Sequence, residues 1–102
     1  TMSKWADYLI SAVRYDPTHN YISDLMVRQD SEDSVGPSSI WTRNQVVSSI
    51  ERGYTFVSIY KRRDGKWYKG EDVRVIEIDG VKYLRTDSNH TKQDNLGELP
   101  EF

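Results

Sequence analysis

The chain has 102 residues, 36% hydrophobic and 12% aromatic, with no cysteine and a formal net charge of −2. That length holds one domain, residues 1–102, with one modest core. Lack of cysteine excludes disulfides, thiolate metal sites and a cysteine nucleophile, and near-neutral charge argues against dedicated duplex DNA binding, which brings a basic face.

The absence of cysteine fits a reducing compartment. No apolar run approaches the roughly 20 residues that span a bilayer, and Thr1-Met2-Ser3-Lys4-Trp5 has no signal-peptide core. The reading is a cytoplasmic protein with no membrane segment.

In chain order, Trp5 to Tyr15 is rich in Tyr, Leu, Ile and Val and predicts a first strand. Asp16-Pro17-Thr18-His19-Asn20 is a turn, with Pro setting φ and Asp and Asn bonding the local backbone. Tyr21 to Arg28 alternates in polarity as a half-buried second strand, which makes a hairpin with the first. Residues 29–39 are polar, acidic and rich in Ser, and read as a solvated loop. A cation site at Asp30, Glu32 and Asp33 is the sharper alternative, but the spacing lacks the Gly and Glu of a calcium loop.

Thr42-Arg43-Asn44-Gln45 is a capping box, with Trp41 and Val46 at hydrophobic-staple spacing. Val46, Val47 and Ile50 form the apolar stripe, and Gly53 supplies a left-handed stop. A helix over about 43–52 follows, too short to hold without tertiary packing. Tyr54 to Tyr60 predicts a third strand, residues 62–66 a turn, and Val73 to Ile78 a fourth strand. Asp79-Gly80 is a hairpin signal, and Val81 to Thr86 is the fifth strand. Leu96, Leu99 and Phe102 recur at three-residue spacing and predict a tail pinned to the core.

The expected fold is therefore α+β: a twisted antiparallel sheet of about five strands in the order ββαβββ, with one short helix. No strand face is uniformly polar, which fits a small barrel, a coiled sheet or a sheet covered on both sides.

Three stretches carry a family likeness. Lys4-Trp5-Ala6-Asp7-Tyr8, Gly53-Tyr54-Thr55-Phe56, and Tyr83-Leu84-Arg85-Thr86-Asp87 with Asp94-Asn95-Leu96-Gly97-Glu98-Leu99-Pro100 resemble a group of small bacterial proteins with a domain of unknown function. The resemblance runs over nearly the whole chain. It implies a small, stand-alone, soluble prokaryotic protein and carries over no catalytic or binding residue.

Charge is unevenly spread. Residues 61–70 hold five cations and one anion, between flanks of −2 (residues 1–60) and −4 (residues 71–102). In this basic hairpin, Lys61, Arg62, Arg63, Lys66 and Lys69 could neutralise an anionic partner while Tyr60, Trp67 and Tyr68 stack on a base. The bland alternative is a sheet edge kept soluble by its cations, with Trp67 packed beneath.

No GxxxxGK[ST] or GxGxxG pattern occurs, so no nucleotide cofactor is implied. His19 and His90 lack spaced partner ligands, so no metal is assigned. Ser48, Ser49 and Ser58 lie in no nucleophile elbow. Asp72 and Glu77 are the nearest thing to a hydrolytic carboxylate pair, and a chain this small leaves little room for a pocket of roughly 300–1,000 Å³ unless a dimer builds one. No catalytic residue is assigned. The aromatic and Arg content fits a protein-interaction module, and exposed sheet edges invite a homodimer. The expectation is a non-enzymatic binding or protein-interaction module. Nucleic-acid or nucleotide binding through residues 60–70 is the first alternative, and a small hydrolase with an intersubunit site is the second.

Overall fold

The computed structural model describes residues 5–18, 21–30, 35–86, 94, 96 and 99–102. Seven strands and one helix follow in order: β1 (Tyr8–Tyr15), β2 (Ile22–Asp30), β3 (Val35–Thr42), α1 (Arg43–Glu51), β4 (Phe56–Lys61), β5 (Trp67–Asp72), β6 (Arg74–Ile78) and β7 (Val81–Arg85). The first five strands form one sheet in the order β3-β2-β1-β4-β5, and β6 and β7 form a separate hairpin.

The chain is thus mostly sheet with a single short helix. Two expectations are corrected. The main sheet is mixed, because β1 and β4 run parallel from Tyr8↔Phe56 to Ile10↔Ser58. It does not close into a barrel, since β3 and β5 remain as edges. Parallel pairing needs a long crossover, which β2, β3 and α1 together supply.

Two strands were not read as strands. β3 begins in residues taken for a loop and runs on to the helix cap, and pairs with β2 from Asp24↔Thr42 to Arg28↔Ser38. β5 pairs with β4 through Tyr60↔Tyr68 and Lys61↔Trp67. Neither has the apolar alternation that marks a strand locally; each is held by its neighbour's ladder.

Period-two alternation sends neighbouring residues to opposite faces. Ile10, Val13, Leu25, Val27 and Phe56 join Val46 and Val47 of α1, Leu84 of β7 and Leu96 of the tail in the main core. Leu9, Val57 and Ile59 face the other way, with Ala6, Trp5, Val35 and Trp67, in a second, smaller cluster. That is why no strand face read as polar.

The helix forms as its sequence dictates. The Thr42 hydroxyl accepts from the Gln45 backbone N–H (3.3 Å), and the Gln45 side-chain Oε1 accepts from the Thr42 N–H (2.9 Å). At the other end Gly53, with φ of 100°, closes a Schellman motif: its N–H donates to Ile50 O and the Tyr54 N–H to Ser49 O.

The tail is pinned, as its spacing predicts. Leu96 is buried and Leu99 packs on the main core. The Val13 N–H donates to Pro100 O (2.9 Å) and the Phe102 N–H to Val13 O (3.0 Å). The tail therefore takes the place beside β1 that β4 vacates after Ile10.

Candidate functional site

Beyond buried Ile59, β4 leaves the core, so Tyr60 and Lys61 are exposed. The chain turns at residues 62–66: the Gly65 N–H donates to Arg62 O (2.9 Å) and the Arg62 N–H to Lys66 O (3.2 Å). Gly65 has φ of 77°, which favours glycine. Asp64 Oδ1 accepts from the Lys66 N–H at 2.9 Å. The result is a projecting finger built on the Asp-Gly turn.

One face of the finger is a layered stack. The Tyr60 and Tyr68 rings lie 5.9 Å apart with planes 24° from parallel. The Arg62 guanidinium sits 4.4 Å from the Tyr68 ring centre and 5.6 Å from that of Tyr60, and donates to the Tyr60 hydroxyl. The Tyr68 hydroxyl donates to Asp64 Oδ2. That bond holds the Asp64 carboxyl below its usual range and pushes the Tyr68 phenol above its own. The Arg62 pKa is raised by its hydrogen bond to Tyr60.

On the other face Trp67 is half-buried against the smaller core. Lys61 and Arg28 each bring a cation to 5.0 Å from the Trp67 ring. Arg28 comes from β2 and belonged to no sequence-level candidate, since nothing in its own segment points at residue 67. The finger therefore brings all seven candidates, Lys61, Arg62, Arg63, Lys66, Trp67, Tyr68 and Lys69, into one projection. Their states differ: Lys61 and Arg62 lie on rings, whereas Arg63, Lys66 and Lys69 are exposed with no side-chain partner among the described residues.

The remaining candidates divide. Asp72 and Glu77 both line a groove of about 690 Å³ between the end of α1, β4–β5 and β6–β7. Its volume lies in the range of small-molecule sites, but it is an open groove and not a deep pocket. Glu51 and Lys82 form an ion pair at its rim, and that bond raises the Lys82 pKa. Ser58 is engaged with the backbone of Glu71 and Ser49 with Gln45 O. Asp30 accepts from the Trp5 and Ala6 N–H groups. Glu32, Asp33, His19 and His90 lie outside the described residues. Among the described residues no cluster of three His, Cys, Asp or Glu side chains converges. No helix there is long and apolar enough to cross a membrane.

The stretches Trp5 to Tyr8 and Gly53 to Phe56 meet in space. Asp7 and Thr55 exchange hydrogen bonds: the Asp7 N–H donates to Thr55 Oγ1 (3.0 Å) and the Thr55 N–H to Asp7 Oδ2 (2.9 Å). Tyr8 packs on Trp41, Tyr54 and Phe56 with ring centres 4.8, 6.0 and 5.2 Å away. These contacts build the frame from which the finger projects.

No curated protein and no solved structure matches the chain. The family described as Protein of unknown function (DUF3892) matches residues 9–100, and the chain belongs to that family.

Proposed function

We propose that this protein is a non-enzymatic binding module that docks an acidic protein surface through the finger at residues 60–70. The observation that carries this reading is the Arg62–Tyr60–Tyr68 stack with Asp64 bonded to Tyr68. The stack orders the tip before any partner arrives, which lowers the entropy lost on binding. It leaves Arg63, Lys66 and Lys69 for the partner, in a setting of the Tyr, Trp and Arg residues that dominate interface hot spots.

Nucleic-acid or nucleotide binding needs open rings for stacking. Here the cations of the chain itself lie against Trp67, Tyr60 and Tyr68, so a protein partner is favoured. Fluorescence anisotropy with labelled polyglutamate and with oligothymidine tests the choice. Polyglutamate is expected to bind and to release as salt rises. Arg63→Glu with Lys66→Glu should abolish binding without moving the melting curve. Unchanged binding by that variant removes the finger as the site. Tighter oligothymidine binding that Tyr60→Ala destroys transfers the site to single strands.

One observation favours a second reading. Asp72 and Glu77 share the groove, as a hydrolase acting through two carboxylates requires. Such an activity would vanish with Asp72→Asn or Glu77→Gln and persist in the finger variants.

A further inference from the structure

The solvent side of α1 is unlike that of an ordinary surface helix. Successive residues turn by about 100°, so Asn44, Ser48, Arg52, Gln45 and Ser49 share an arc of about 140°. Val46, Val47 and Ile50 hold the core side. The arc carries four neutral polar side chains and one cation, with no acid. A helix of nine residues is marginal in water, so strong helix formers are expected at its solvent positions. Asn44, Ser48 and Ser49 are poorer formers than alanine, lysine or glutamate. Breaks of this kind in local consistency concentrate at functional sites.

These five side chains and Trp41 line an open groove of about 410 Å³, within the roughly 300–1,000 Å³ of small-molecule sites. It shares no residue with the finger or with the groove that holds Asp72 and Glu77. Gln45 and Ser49 are engaged within the helix and its cap. Asn44, Ser48 and Arg52 are exposed and have no side-chain partner among the described residues. Spaced by four, they stand on one ridge of the helix. Glu51, the acid beside Arg52 in sequence, is tied to Lys82. Half-buried Trp41 heads the ridge. Its indole N–H donates to Ser39 Oγ (3.1 Å), and its ring packs on Tyr8 and edge-on to Phe56. That platform is fixed before any ligand arrives.

We infer that this groove binds an oligosaccharide of uronic-acid type. A sugar carboxylate sits on Arg52, hydroxyls sit on Asn44 and Ser48, and a ring face rests on Trp41. The donor set argues for that class. Amide and hydroxyl side chains each donate and accept, as every hydroxyl of a sugar does. The indole offers a flat apolar surface to the C–H face of a pyranose. A guanidinium takes a carboxylate through two parallel hydrogen bonds. The ridge from Asn44 to Arg52 is about 12 Å long, enough for more than one sugar ring. A nucleic acid calls for several cations on its phosphates, and the groove holds one. Protein interfaces are depleted in serine, and the groove has two.

Trigalacturonate and its methyl ester, the same sugar with its carboxylates masked, are the probes in nitrogen-15 NMR titrations of the full chain. Trigalacturonate is expected to shift the Trp41 indole N–H and the Asn44 side-chain amide. It should bind about tenfold or more tightly than the ester, the margin of a hydrogen bond to a charged group. Arg52→Gln should erase that margin, and Asn44→Ala should weaken both probes. Both substitutions change exposed side chains, so the remaining signals should stay native. Trigalacturonate is a polyanion, so the Arg63→Glu with Lys66→Glu variant is the control. It should keep full binding in the groove, whether or not the finger docks an acidic protein. Trp41 and Asn44 signals that stay still at millimolar trigalacturonate overturn the assignment. So does a margin that survives Arg52→Gln, or binding that is lost with the finger. Oligothymidine that moves the same signals at lower concentration than trigalacturonate also overturns it, and gives the groove to single strands.

Discussion

Asp94, buried, and Arg43, half-buried and 51 residues away in sequence, form an ion pair that ties four parts of the chain together. Arg43 Nε donates to Asp94 Oδ2 at 2.7 Å and Nη2 to Oδ1 at 3.1 Å. Asp94 also accepts from the N–H groups of Ile22 and Leu84, each at 2.8 Å. Arg43 Nη2 donates to Lys82 O as well. One carboxylate thus joins the start of β2, strand β7, the first turn of α1 and the tail. The stacked rings of Tyr21 and Tyr83 lie beside it, 5.8 Å apart, with the Arg43 guanidinium 5.4 Å from Tyr21. The hydrogen bond to Asp94 raises the Arg43 pKa, and a hydrogen bond to Tyr21 raises that of Tyr83.

Removing one member of such a pair leaves a buried charge or buried donors uncompensated. Asp94→Ala is therefore expected to destabilise the fold by roughly 3–5 kcal/mol, and Arg43→Ala by a comparable amount. Urea denaturation measures both. The double variant should lose less than the sum of the singles, since the two residues share one interaction. An Asp94→Ala chain with the native midpoint would show that the clamp contributes nothing.

The helix caps give a milder prediction. Thr42→Ala removes the acceptor for the Gln45 N–H and should cost ~1 kcal/mol. Gly53→Ala meets no steric obstacle, with nothing within 4 Å of the added Cβ. Its φ of 100° is still a strained backbone for alanine, so a loss of about 1–2 kcal/mol is expected. Thermal melts of the two variants separate the effects. If Gly53→Ala is neutral, the Schellman motif is not needed to end α1.

These caps were legible because they are written within a few residues: Thr42 with Gln45, then Gly53 after the apolar stripe. The finger was legible for the same reason, through Asp64-Gly65 and its flanking cations. Strand β3 was not, because its Ser, Pro and Gly carry no period and its strand state comes from pairing with β2. The parallel β1–β4 pairing and the tail's place beside β1 are also products of topology. Arg43 did carry an overlooked signal. A cation at the first helical position opposes the helix dipole, and α1 has no acid in its first turn to offset it. That conflict points to an anion from elsewhere in the chain, which is Asp94.

Gly70 sits where β5 presses against Ser58 of β4. A Cβ there would lie 2.4 Å from Ser58 Oγ and 2.9 Å from Ser58 O. The ladder is irregular at this point, and the Ser58 hydroxyl accepts from the Glu71 N–H. Gly70→Ala should therefore cost about 1–3 kcal/mol through overpacking. Adding Ser58→Ala relieves the contact with Oγ but not the one with the carbonyl, so it should restore only part of the loss. Full recovery in the double variant would place all the strain on the hydroxyl and none on the backbone.

The finger tip should respond to pH at two separate limits. The Asp64 carboxyl titrates below its ordinary value, so its contribution is complete above the unfolded carboxylate pKa and fades as pH falls through the lower folded one. The Tyr68 phenol titrates above its ordinary value, chiefly through the bond to Asp64. Its contribution is complete below about 10, the ordinary tyrosine pKa, and fades as pH rises through the raised folded value. The tip is therefore expected to hold one structure across the whole interval between. Carbon-13 shifts of the Tyr68 ring, followed by NMR against pH, report both limits at one residue. In Asp64→Asn the acceptor keeps its shape but loses its charge, so the Tyr68 pKa should fall back toward about 10 and the acid-side change in its ring shifts should vanish. A Tyr68 titration identical in both proteins would mean that Asp64 does not hold the phenol, and the ordered tip on which the docking proposal rests would lose its anchor.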